Sequence, residues 1–216
     1  ISETFQKRLS EYNAISIFTS ATLAINDDFD YYSGQLGLEE CQTHVWNSPF
    51  DYQKQTCLYV PLDLPDPNQF KYFDAFIERT IKLLSYSQGH AFILFTSHQA
   101  LKKSANILSK KIKYPILIQG QTPRSELLNQ FRDTEHAVLL GTSSFWEGVD
   151  VKGEALSLVV IDKLPFASPD DPVLQARLNH YSKKGMNPFM DYQVPQAAIG
   201  LKQGVDFKGG RSYVVR

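Results

Sequence analysis

No Gly-x-x-x-x-Gly-Lys-Ser/Thr loop occurs in this chain of 216 residues. Without that loop and its lysine, the chain lacks the usual means of cradling triphosphate oxygens and of hydrolysing a nucleotide by itself. No Gly-x-Ser-x-Gly elbow is present, so serine-hydrolase chemistry has no support. Cysteine is scarce: Cys41 and Cys57 make neither a disulfide framework nor a metal set. So few thiols fit a reducing, cytoplasmic setting. His44, His90, His98, His136 and His180 show no zinc-ligand spacing, so no metal is expected in the chain. No apolar run approaches the roughly 20 residues that cross a bilayer, and no membrane partner is expected. Net charge is nearly absent, with 22 Lys and Arg against 23 Asp and Glu, so no global field draws the chain to nucleic acid. The start, Ile1-Ser2-Glu3-Thr4, has neither an initiator Met nor a signal-peptide pattern, and reads as part of a longer protein.

What is present is an alternation of short apolar runs and amphipathic stretches. Residues 14–19, 56–60, 91–95, 115–118, 137–140, 156–161 and 213–215 read as strands. Phe70, Phe73, Ile77, Ile81 and Leu84 recur at helical spacing and predict a helix over 69–86. A second helix is expected over 98–112, with Leu101, Ala105 and Leu108 on its apolar face. A third is expected over 123–132, with Thr122 as its cap and Leu127, Leu128 and Phe131 inside. Further helices are expected over 173–183 and from Pro195 onward, and the stretch 27–37 reads as helix and loop. Apolar runs separated by helices imply an α/β fold, a mostly parallel sheet flanked by helices.

The densest signal is Gly141-Thr142-Ser143-Ser144-Phe145-Trp146-Glu147-Gly148-Val149-Asp150-Val151-Lys152-Gly153, directly after an apolar run. Strand ends with small polar loops are where open α/β sheets place ligand chemistry. Glu147 and Asp150 are three apart and share a face if the segment turns helically. Such a pair can orient an arginine, a water or a metal-bound phosphate; an acidic loop capping a helix is the plain alternative. Trp146 is either a core plug or a docking surface, with the core plug favoured. Asp162-Lys163-Leu164-Pro165-Phe166 also follows a strand and is a functional loop or a turn. Thr-Ser pairs at 19–20 and 96–97 end two predicted strands, where hydroxyls cap a helix or touch a phosphate. Lys102, Lys103, Lys110, Lys111 and Lys113 read as a solvated face that can also meet backbone phosphates.

Together these residues resemble the second motor lobe of superfamily 2 DNA helicases of the DinG/XPD type, in a bacterial DinG-like form. Thr19-Ser20-Ala21-Thr22-Leu23 resembles motif III, Phe95-Thr96-Ser97 motif IV, and Gly141 through Gly153 motif V. Ser48-Pro49-Phe50-Asp51-Tyr52 and Asp162 through Phe166 are similar to further family elements, and 195–205 to the helix that opens motif VI. The resemblance implies a RecA-like lobe over 51–216, preceded over 1–50 by a remnant of the first lobe and the connection between lobes. It implies 5′-to-3′ unwinding by the full protein, driven by ATP and Mg²⁺ held between two lobes. The absent N-terminal lobe would supply the phosphate loop and, in many members, a 4Fe-4S cluster; none of these is expected in this chain, which alone should be inactive. Single-stranded DNA and that absent lobe are the implied partners, and the protein is expected to be monomeric. Thr96, Ser97, Thr142, Ser143 and Trp146 are the implied DNA contacts. Glu147, Asp150 and Gln203 are the implied catalytic set, with Gly148, Asp150 and Gln203 toward the nucleotide. The alternatives are a non-catalytic RecA-like lobe that binds nucleic acid or protein, and a nuclease-like α/β enzyme needing clustered metal carboxylates.

One departure matters. The family continues after Gln-Gly-Val with Gly-Arg-Leu-Ile-Arg, whose arginines face the ATP phosphates. Here Val205 is followed by Asp206-Phe207-Lys208-Gly209, and neither Arg211 nor Arg216 stands in the matching position. Either the segment is deleted, or it lies between Val205 and Asp206 and is missing from the sequence. Omission is the expectation, and it predicts a backbone break between those two residues.

Overall fold

A computed structural model of the chain describes residues 2–12, 15–20, 22–38, 41–47, 51–145, 149, 151, 155–206 and 212–214. In chain order its elements are α1 (Ser2–Glu11), α2 (Asp30–Leu36), α3 (Tyr52–Gln55), β1 (Cys57–Tyr59), α4 (Tyr72–Ser87), β2 (Ala91–Leu94), α5 (His98–Lys111) and β3 (Ile116–Ile118). There follow α6 (Arg124–Asp133), β4 (Val138–Gly141), a 3-10 turn (Ser143–Phe145), β5 (Leu158–Ile161), α7 (Pro172–Lys183), a π-helical turn (Phe189–Gln193), α8 (Val194–Asp206) and β6 (Ser212–Val214). The chain divides into two compact units, 50–165 with 204–216, and 1–49 with 166–203.

The first unit holds a six-stranded sheet in the order β1-β6-β5-β2-β4-β3, and every pairing is parallel. Every residue of β2, β4 and β5 is buried, as in sheets covered on both faces. The period of two along β2 and beyond separates the faces. Ala91, Ile93 and Phe95 join one cluster with Phe76, Ile77 and Leu84 of α4 and Leu101, Ala105 and Leu108 of α5. Phe92 instead meets Phe131 of α6 edge-on, with ring centroids 4.7 Å apart.

The local chemistry explains where these helices start and stop. α5 begins at Ser97, whose side chain accepts from the Ala100 amide at 3.1 Å. α4 ends as Gln88 and Gly89 turn left-handed, and the Gly89 amide donates back to the Leu84 carbonyl. A Cβ on Gly89 would lie 2.0 Å from the His136 carbonyl oxygen, so no side chain fits. Asp171 caps α7 through the amides of Val173 and Leu174, with Pro172 in the first turn.

Three sequence expectations are corrected. Residues 15–19 form no strand: Ile15 and Ile17 are 94% and 83% exposed, and no described strand supplies them a hydrogen-bond ladder. Phe70 lies outside α4 and is exposed; the buried stripe is Tyr72, Phe76, Ile77, Thr80 and Leu84. Thr122 does not cap α6: Pro123 occupies the cap, and Thr122 Oγ1 is buried without a hydrogen-bond partner.

In the second unit, α2, α7 and α8 are tied by amide-to-phenol bonds. Gln35 Nε2 donates to Tyr181 Oη at 2.9 Å, and Gln196 Nε2 to Tyr31 Oη at 2.6 Å. Arg177 donates to Tyr192 Oη, and burial pushes the Tyr31 phenol above its ordinary range.

Candidate functional site

The C-terminal edge of the sheet carries a row of polar residues. Parallel register aligns Leu94 with both Gly141 and Ile161, and Ile118 with Leu140. Asp162 therefore leaves β5 beside the end of β2, and its amide donates to the Leu94 carbonyl at 3.1 Å. Gln119 leaves β3 beside the end of β4, and its amide donates to the Leu140 carbonyl at 3.0 Å. Across the edge the order is Asp162, Thr96, Thr142, Gln119. The chain leaving β2 travels toward β3, and the chain leaving β5 travels toward β6 on the opposite side. The topological switch point falls between β5 and β2, the place where open α/β sheets form a ligand crevice.

Two acceptors hold the two threonines. Gln119 Oε1 accepts from the Thr142 amide at 2.6 Å and from Thr142 Oγ1 at 3.0 Å. Asp162 Oδ1 accepts from the Thr96 amide at 3.0 Å, and Oδ2 lies 3.5 Å from Thr96 Oγ1. Tyr72 Oη donates to the Asp162 carbonyl, and Lys163 Nζ sits 5.7 Å over the Tyr72 ring. Asp162 is 4% exposed. Burial raises its carboxyl to about 6, and the amides of Thr96 and Lys163 and the Lys163 charge only partly offset this. No salt bridge reaches it among the described residues.

Thr96 and Ser97 are exposed, with Ser97 engaged as the α5 cap. Thr142 is 3% exposed, so its hydroxyl meets an outside group only if Gln119 releases it. Ser143 opens the 3-10 turn, which closes with the Phe145 amide donating to the Thr142 carbonyl at 2.8 Å. Phe145 is buried, and a Cβ on Gly141 would lie 2.8 Å from Phe145 Cβ, so the strand end and the turn share one packing space. Trp146, Glu147, Gly148 and Asp150 lie outside the described residues. Val149 and Val151, on either side of Asp150, are buried. Gln203 belongs to the second unit, where its Nε2 lies 3.5 Å from Thr22 Oγ1. Thr22 in turn meets Ser20 through its amide and hydroxyl, so the motif III-like segment and α8 touch. On α5, Lys103 lies 3.9 Å over the Phe73 ring, which directs one of the lysines onto α4.

Sequence reasoning named the threonines but not the residues that hold them. Asp162 was visible within Asp162 through Phe166, and Gln119 as the first polar residue after an apolar run. A polar side chain immediately after a buried parallel strand is the signal that finds both.

The described residues do not by themselves fit ATP and Mg²⁺. They contain no phosphate loop, and among them no three His, Cys, Asp or Glu side chains gather to hold a metal. Cys41 and Cys57, both exposed, are too few to ligate a four-cysteine cluster. No helix among the described residues is long and apolar enough to cross a membrane.

Residues 80–211 match the family described as the helicase C-terminal domain. The chain is 42% identical over 205 residues to the ATP-dependent DNA helicase YoaA of Haemophilus influenzae, covering 95% of this chain and 32% of that protein. It is 35% identical over 200 residues to the 3′-5′ exonuclease DinG of Bacillus subtilis, covering 88% of this chain and 21% of that one. The chain thus spans about a third or less of the length of these relatives. A solved apo structure of XPD superposes with a TM-score of 0.58 at 15% identity, over 88% of this chain and 42% of that one. That likeness shows the fold, a RecA-like α/β lobe.

Proposed function

The chain belongs to the helicase C-terminal domain family, and on that premise we propose that it is the second motor lobe of an ATP-dependent 5′-to-3′ DNA helicase. The observation that carries this reading is the polar row Asp162, Thr96, Thr142 and Gln119 at the switch point of a sheet that has no phosphate loop. Such a lobe presents donors to a strand but needs a second lobe to hold a triphosphate. The lobe spans 51–216, and 1–50 is a remnant of the first lobe with the connection between lobes. Thr96 and Ser97 face single-stranded DNA phosphates, and Thr142, Ser143 and Trp146 are the further DNA contacts. Glu147 and Asp150 link the DNA track to the nucleotide cleft, and Gly148 and Gln203 stand on its nucleotide side. ATP with Mg²⁺ binds between this lobe and the N-terminal one, and closure and release of the pair move the monomer along DNA. Any 4Fe-4S cluster belongs to the N-terminal part, and the setting is cytoplasmic.

The test uses the longer protein. Glu147→Gln and Asp150→Asn are each expected to cut DNA-stimulated ATP turnover about tenfold or more. Their unfolding free energy should change by less than about 1 kcal/mol. Normal turnover in both variants would refute the assignment. A second reading, a non-catalytic lobe that binds nucleic acid or protein, rests on the sequence alone: Val205 is followed by Asp206-Phe207-Lys208-Gly209, without the arginines that the resemblance implies there. A longer protein that binds single-stranded DNA yet never hydrolyses ATP would establish it.

A further inference from the structure

We propose that Asp162 is a positioning residue for single-strand binding: its carboxylate sets the Thr96–Ser97 turn, and its negative charge weakens that turn's hold on a phosphodiester until the carboxylate is neutralised. The inference rests on the DNA reading above and goes past it, to a residue to which that reading gives no role of its own. Asp162 stands at the switch point, 66 residues from Thr96 in sequence, and its Oδ1 accepts the Thr96 amide at 3.0 Å. That bond fixes the peptide through which β2 passes into the α5 cap at Ser97. A buried carboxylate with no salt bridge among the described residues is an expensive way to hold one amide, since an asparagine oxygen would accept the same bond without burying a charge.

The second oxygen, Oδ2, is 3.5 Å from Thr96 Oγ1. A phosphate oxygen bonded to that hydroxyl would sit roughly 3 Å beyond it. Two like charges would then face each other across about 6–7 Å at a partly buried edge, where screening is incomplete. Among the described residues the titratable groups around the carboxylate are Lys163 on its own loop and Tyr72 of α4, whose hydroxyl engages the Asp162 main-chain carbonyl rather than the carboxylate. Protonation of Asp162 on Oδ2 removes the repulsion, while Oδ1 still accepts the Thr96 amide.

The experiment titrates a fluorescent oligo(dT) with the longer protein that contains this chain, and with its Asp162→Asn and Asp162→Ala variants, between about pH 8 and about pH 5.5. Wild type should bind about three- to tenfold tighter at the acid end, over and above any slope in Asp162→Asn. Asp162→Asn, which keeps the acceptor and loses the charge, should already bind tightly at pH about 8. Asp162→Ala, which loses both, should bind less tightly than Asp162→Asn at every pH. Equal pH slopes in wild type and Asp162→Asn, or equal affinities of the Asn and Ala variants, overturn the proposal. If no variant binds oligo(dT), the DNA reading itself fails. The Thr96 amide resonance, followed over the same range, then decides the clamp alone. It should move with a midpoint near 6 in wild type and stay flat in Asp162→Asn; a Thr96 amide that does not move in wild type overturns it.

Discussion

At the residue scale the feature with the largest consequence is a carboxylate out of water. Asp162 rises from 3.8 to about 6 because burial penalises its charge more than two amides and one lysine favour it. A folded-state value above the unfolded one means that the folded chain binds the proton more tightly. The stabilising contribution is then complete below about 3.8 and lost as the pH rises through about 6. The amount is on the order of 2–3 kcal/mol at most. Urea unfolding of wild type and Asp162→Asn at about pH 4.5 and about pH 7.5 checks this. The advantage of wild type over the variant should shrink or reverse at the higher pH, and a difference that stays constant between the two would contradict it. The residue was readable in the sequence only as the first polar position after a strand. Its partner, Thr96, is 66 positions away, and no spacing rule brings the two together. Gln119 was hidden for the same reason: its meaning comes from Thr142, 23 residues on, across a parallel pairing that periodicity cannot assign.

At the element scale, the helices and the buried strands were legible because their signals are local. α5 shows its cap and its apolar face in one stretch, Ser97 followed by Leu101, Ala105 and Leu108, and the structure uses each of them. β2, β4 and β5 were legible as apolar runs, since strands covered on both faces need no alternation. Residues 15–19 failed because an apolar stretch becomes a strand only beside a partner. Thr122 failed because Pro123 sits at the cap itself, extended at φ −54° and ψ 147°. The end of α4 carries a constraint that sequence shows only as one glycine. Gly89 has φ +80°, and any Cβ there strikes the His136 carbonyl where β4 approaches. Gly89→Ala should therefore cost about 2–4 kcal/mol, through strain and displaced backbone together. Thermal unfolding measures it, and a melting temperature unchanged from wild type would show that the α4–β2 turn yields freely.

At the scale of the whole molecule, the chain is a sheet unit and a helical unit, with polar residues aligned along one edge of the sheet. The sheet unit brings strand ends into register, places hydroxyls at the edge and packs the turn after β4 at Phe145 and Gly141. Its sequence contains no Gly-x-x-x-x-Gly-Lys-Ser/Thr loop, the usual cradle and lysine for nucleotide phosphates. The fold class was legible from the strand–helix rhythm, and the family from Gly141 through Gly153 with Asp162 through Phe166. The split into units was not, because it joins segments far apart in the chain. The most direct measurement is ATP turnover in the presence of single-stranded DNA, for the isolated 216-residue chain and for the longer protein that contains it. DNA-stimulated turnover by the longer protein, with none by the isolated chain, is the predicted result. Hydrolysis by the isolated chain would contradict the account, because it would place a complete nucleotide site within a lobe described here as half of one.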